Sequence, residues 1–85
     1  MEFPGLRTLV LVVDRGSFAS AAEASGVPRS TLARRLDRLE SELDEQLVVR
    51  SEMGVHPTPA GARLLEHARG IVEDYDALVK RIRSE

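Results

Sequence analysis

The chain contains no cysteine and no tryptophan, and aromatic residues make up only 4% of it. Without cysteine, no disulfide framework and no thiolate metal site can brace a small fold. Long apolar runs are also missing. The longest, Leu9 to Val13, is far too short to cross a bilayer. At the N-terminus Glu2 and Pro4 stand where a secretory leader would carry cations. These absences lead to the expectation of a cytoplasmic protein with no membrane contact. Lysine occurs once, at Lys80, so the 12 Lys and Arg residues are nearly all arginine.

What remains bounds the fold. A length of 85 residues accommodates one domain. So short a chain buries a modest core and gains from a partner. With 42% hydrophobic and 31% charged residues it reads as globular rather than disordered. The formal net charge of −2 argues mildly against indiscriminate nucleic-acid binding. Distribution matters more than the sum. Arg29, Arg34, Arg35 and Arg38 share ten residues with a single acid, Asp37, whereas Asp44, Glu45 and Glu52 outnumber Arg50 further on.

Punctuation divides the chain into five pieces. Leu6, Leu9, Val10 and Val13 recur at helical spacing, which predicts a helix over Phe3 to Arg15. Gly16 breaks it, and Ser17 is suited to cap a second, alanine-rich helix from Phe18 to about Ser25. Gly26-Val27-Pro28 then makes a tight turn into a third helix, the helix-turn-helix pattern. In that third helix Leu32, Leu36, Leu39 and Leu43 form one stripe, expected to be buried. Its opposite face carries Ser30, Arg34, Asp37, Arg38 and Ser41. Two β-prone runs, Leu47 to Arg50 and Val55 to Pro57, flank a glycine-containing tip and read as a hairpin. Thr58-Pro59 starts a last helix that runs almost to Glu85. Leu65, Ala68, Val72, Tyr75, Val79 and Ile82 repeat along it as a heptad seam, widened by Leu64, Ile71 and Leu78. So wide an apolar face calls for a second copy, and dimerisation is the expectation.

Catalysis finds little support. His56 and His67 have no ligand spacing, and there is no phosphate-cradling glycine loop or nucleophile elbow. No metal or cofactor is called for. His67 reads as a helix-surface residue, and His56 lies on the hairpin. The third helix is more informative. In a major groove, arginine pairs with guanine O6 and N7, and serine or threonine reaches several base edges. The first turns of the second helix of a helix-turn-helix make such contacts, and here they hold Arg29, Ser30, Thr31, Arg34 and Arg35. The plainer account is a solvated arginine face with local pairs to Asp37 and Glu42. The preceding glycine turn favours the DNA account.

Taken together these segments resemble the N-terminal domain of LysR-type transcriptional regulators. The resemblance rests on Gly16-Ser17-Phe18 with Ala21-Ala22, and on Val27-Pro28-Arg29-Ser30-Thr31-Leu32 with Arg34-Arg35-Leu36 and Leu39-Glu40. It continues through Leu47 with Arg50 and through Thr58-Pro59-Ala60-Gly61. It implies a mainly α, winged helix-turn-helix domain over residues 1–58 and a linker and dimerisation helix over 59–85. It further implies base readout by Arg29, Ser30, Thr31, Ala33 and Arg34. Backbone or wing contacts would come from Ser17, Arg35, Arg38, Arg50, His56 and Thr58. The partners implied are double-stranded DNA and a second copy of the chain. A small-molecule effector would enter only through a further domain outside this chain. Asp44 stands where the family often has glycine, Ala33 where it often has serine, and Glu52 where its wing often has arginine. The acidic wing and net charge motivate a rival reading, a winged-helix scaffold used for protein interaction. A positive patch around Arg34 left uninterrupted by Asp37 and Glu52 would favour DNA.

Overall fold

A computed structural model describes residues 3–84. Helices α1 (Pro4–Arg15), α2 (Phe18–Ser25) and α3 (Arg29–Leu43) precede an antiparallel hairpin of β1 (Val48–Ser51) and β2 (Gly54–Pro57). Helix α4 (Pro59–Ser84) closes the chain. This is the three-helix, wing and long-helix order expected from the sequence.

Local chemistry sets each boundary. Pro4 opens α1, and the buried Thr8 returns its hydroxyl proton to the Pro4 carbonyl at 2.8 Å. The Ser17 hydroxyl accepts the Ser20 amide at 3.0 Å and caps α2, as its position predicts. Gly26 takes the left-handed conformation that ends α2. Pro28 caps α3 one residue before the helix begins. At the other end of α3, Asp44 adopts φ 52° and ψ 43°, the left-handed geometry that glycine accepts at lower cost. The helix therefore ends in the shape a glycine would impose, with an aspartate in place.

The core is built from Leu9 and Val12 of α1, Ala21 of α2, Leu32 and Leu36 of α3, Leu47, Val48 and Val55 of the wing, and Leu65 and Ala68 of α4. Helix α1 packs against each of the other three helices. The leucine stripe of α3 is shorter than its spacing suggests. Leu39 is half-buried, and Leu43 is 47% exposed because no described residue covers it.

Two backbone approaches seat the wing. The Val55 amide donates to the Gly16 carbonyl at 2.8 Å, and Gly54 has φ 112°, where a Cβ would lie 2.3 Å from that oxygen. The Thr58 amide donates to the Leu47 carbonyl at 2.9 Å. A Cβ on Gly61 would meet that same oxygen at 1.9 Å, so only glycine lets the first turn of α4 reach the wing. From the other side, Glu40 accepts the Leu47 amide at 2.7 Å and the Val48 amide at 3.4 Å.

The heptad seam of α4 divides. Leu65 and Ala68 are buried in the domain's own core and are not free to meet a partner. Tyr75 is half-buried, with the Phe3 ring edge-on at 5.6 Å and the Arg7 guanidinium at 5.8 Å. Val72 and Val79 are half-buried. The large apolar side chains exposed on α4 are Ile71, Leu78 and Ile82 among the described residues. The seam thus turns inward first, where Leu65 and Ala68 enter the shared core.

Two arginine–aspartate forks clamp α1 to α4. Arg7 donates to both carboxylate oxygens of Asp76, and Arg69 donates to both oxygens of Asp14 at 2.8 and 2.7 Å. Arg7 and Asp14 are two turns apart on α1, as Arg69 and Asp76 are on α4, so the antiparallel helices match with opposite polarity. The hydrogen bonds from Arg69 hold Asp14 below its ordinary carboxyl pKa of 3.8, and those from Arg7 do the same for Asp76. A lowered folded-state pKa stabilises the fold above the ordinary carboxyl range, and that contribution is lost as pH falls through it.

Asp44→Gly should therefore raise stability by about 0.5–1 kcal/mol, by removing a left-handed non-glycine residue, and urea unfolding measures it. An unchanged or lower midpoint would mean that the Asp44 side chain contributes more than its backbone costs. For the clamp, the parent should lose more stability between about pH 5 and pH 3 than the Asp14→Asn/Asp76→Asn double variant. Equal pH profiles would show that these half-exposed pairs carry no net stability.

Candidate nucleic-acid interface

The first turns of α3 present Arg29, Ser30, Arg34 and Arg35 as exposed side chains. Thr31 and Ala33 are half-buried, since they flank the inward-facing Leu32. Among the described residues, no carboxylate lies within ion-pair distance of Arg29, Arg34 or Arg35. Among the described residues these three arginines are therefore not tied up in ion pairs.

The acids sit elsewhere. Glu42 pairs with Arg38 at 3.4 Å, one turn apart on α3. Asp37, which the local-pair account would assign to an arginine of its own helix, instead accepts from Arg50 of β1 at 3.0 Å. The Arg50 guanidinium also lies 4.5 Å from the centroid of the Phe18 ring, at the start of α2. Arg50 thus touches side chains of α2 and α3 from the wing. Neither Asp37 nor Phe18 was identifiable from sequence as its neighbour, because the contacts cross three elements. Only the alternation of β1 hints at them, placing Arg50 on the same strand face as the buried Val48.

The remaining candidates separate by how their polar atoms are used. Thr58 is engaged twice: its hydroxyl donates to the Gln46 carbonyl at 2.6 Å and accepts the Gly61 amide at 3.1 Å. Its one proton is therefore committed inside the fold. The Ser17 hydroxyl is used only as an acceptor, from Ser20. His56 lies exposed on β2, directly across from Val49. Glu52 and Met53 form the wing tip, with Met53 85% exposed.

Between the start of α1 and the outer side of α3 runs an open groove. Phe3, Pro4, Leu6 and Leu39 line it together with Arg34, Arg35, Arg38 and Glu42. It adjoins the cationic face and contains no convergent titratable set. Among the described residues, no helix is long and apolar enough to cross a membrane.

Comparison with known proteins supplies the context. A "Probable hydrogen peroxide-inducible genes activator" of Mycobacterium avium is 49% identical over 73 residues, which are 86% of this chain and 24% of that protein. The nitrogen assimilation regulatory protein nac of Escherichia coli K12 is 42% identical over 72 residues, 85% of this chain and 24% of that protein. The chain thus spans about a quarter of the length of these curated relatives. Among solved structures, a CbnR_DBD–DNA complex superposes with a TM-score of 0.86 at 34% identity, covering 99% of this chain and 97% of that one. A complex of BenM_DBD with benA site 1 DNA gives a TM-score of 0.86 at 32% identity, with 99% and 98% covered. Residues 3–62 match the family described as bacterial regulatory helix-turn-helix protein, lysR family. The chain belongs to the lysR family of bacterial regulatory helix-turn-helix proteins.

Proposed function

We propose that this chain is the double-stranded DNA-binding part of a bacterial transcription regulator, with α3 as the helix that enters the major groove. The observation that carries this reading is the exposed set Arg29, Arg34 and Arg35 on the first turns of α3, which has no ion pair among the described residues. Similarity over nearly the whole chain to domains solved with DNA supports it. Arg29, Ser30 and Arg34 would read base edges, with Thr31 and Ala33 at the margin of the contact. Arg35, Arg38, Arg50 and His56 would meet the backbone, with Ser17 at the start of α2. Thr58 would act as a helix cap, since its hydroxyl is already used in both directions. Arg34, whose neighbour Asp37 turns to Arg50, weighs against a scaffold used only for protein contacts.

The second half of α4 would pair two copies of the chain. Ile71, Leu78 and Ile82 are exposed apolar side chains there, and Val72, Tyr75 and Val79 adjoin them. Leu65 and Ala68, buried at home, would support that face from beneath. In this division residues 1–58 bind DNA and 59–85 link and dimerise. Two-fold symmetry then makes the site roughly palindromic. Any small-molecule effector would bind in a part of the protein beyond this chain.

Fluorescence anisotropy with a mixed-sequence duplex at several salt concentrations tests the reading. The logarithm of the affinity should fall linearly with the logarithm of salt concentration, because the protein's arginines displace counterions condensed on the phosphates. Arg34→Ala should cost about 1–3 kcal/mol on a selected site and relax one base preference. A folded protein that binds no duplex at low salt would overturn the proposal.

A further inference from the structure

The acids of the cationic face are placed selectively. Arg29, Arg34 and Arg35 have no carboxylate within ion-pair distance among the described residues, whereas Arg38 has Glu42 and Arg50 has Asp37. Both paired arginines are among those assigned above to the DNA backbone, where Arg35 remains without such a pair among the described residues. The Asp37–Arg50 contact differs from the Arg38–Glu42 pair in joining two elements, recognition helix to wing. It is a single hydrogen bond rather than a fork, and both side chains remain substantially exposed, Arg50 at 46% and Asp37 at 64%. An exposed pair of this kind is weak and open to exchange. The Phe18 ring beside the guanidinium keeps Arg50 located whether or not Asp37 is charged.

We propose that Asp37 is an internal competitor with DNA phosphate for Arg50, and so sets the domain's overall affinity for DNA without contributing to base choice. The inference rests on the DNA-binding reading above. A phosphate approaching the wing must take Arg50 from a carboxylate that bears the same sign of charge. With Asp37 in place, Arg50 brings less than one full cation to the interface, and fewer counterions are released. The sequence carries the corresponding signature: Asp37 is the one acid between Arg29 and Arg38. A phosphate contact carries no sequence information, so the damping acts alike on every duplex.

The test is Asp37→Asn, which removes the charge but keeps an oxygen for Arg50, alongside Asp37→Ala, which removes both. Asp74→Asn on α4 serves as a charge-matched control, being exposed and away from α3. Each variant and the parent are titrated by anisotropy across several salt concentrations. Two duplexes are used, one of mixed sequence and one selected by the parent from a random pool. Both Asp37 variants should bind more tightly, with a salt slope steeper by up to about 0.9, which corresponds to at most roughly a fivefold gain near 0.15 M salt if the effect vanishes at 1 M. The factor should be the same on both duplexes, and Asp74→Asn should give a clearly smaller one. Four results would overturn the proposal. Weaker binding by Asp37→Ala would make Asp37 a buttress that orients Arg50. A gain confined to the selected duplex would make it a base reader. A gain matched by Asp74→Asn would reduce it to net charge, and no change in slope would remove it from the interface. In all four cases the parent still binds. A parent that binds neither duplex at low salt would instead defeat the DNA-binding reading, and this inference with it.

Discussion

The peptide at Leu47 holds the domain together. Its amide is bonded to the Glu40 carboxylate, and its carbonyl accepts the Thr58 amide. Its side chain is 1% exposed in the shared core. One residue therefore joins the end of α3, the start of the wing and the start of α4. The arrangement tolerates little variation, because Gly61 brings the first turn of α4 against that carbonyl at a distance no Cβ would permit. A buried peptide must find partners for both its polar groups. Here they come from a side chain of the preceding helix and the cap of the following one. The Gln46 carbonyl takes the Thr58 hydroxyl and reinforces the same joint.

Function follows from what this joint positions. With the wing anchored at both ends, β1 projects Arg50 towards α2 and α3, where Phe18 and Asp37 receive it. The wing is thereby coupled to the helix proposed to read DNA. The first turns of α3 are left unencumbered, and their arginines face solvent without internal counter-ions among the described residues. A chain of net charge −2 can present a local cationic surface because its acids are directed elsewhere. Two of them, Asp14 and Asp76, are consumed in tying α1 to α4.

That clamp also determines what α4 can offer a partner. The face of α4 turned to the domain puts Leu65 and Ala68 into the core, and α1 follows the helix as far as Asp76. Ile71, Leu78 and Ile82 are left exposed. A small domain and the proposed dimerisation surface thus share one continuous helix. The helix is held in orientation by salt-linked forks near the middle of its length.

The elements and their order were legible in the sequence, because helical periodicity, Ser17, Gly16, Gly26 and Thr58-Pro59 act locally. Capping and turn preferences depend on the few residues around them. The cationic first turns of α3 were legible for the same reason, since helix geometry alone puts Arg34 opposite Leu32 and Leu36. Tertiary structure decided whatever depends on the neighbour an element meets. Periodicity shows that Leu43 lies on an apolar stripe, but not that the stripe outruns its cover. It places Leu65 and Ile82 in one seam, but not that the shared core buries the former and leaves the latter to solvent. Spacing along the chain likewise gives no sign that Asp37 turns to Arg50, Arg7 to Asp76 or Arg69 to Asp14. Those pairings arise only once the packed core has brought distant helices side by side.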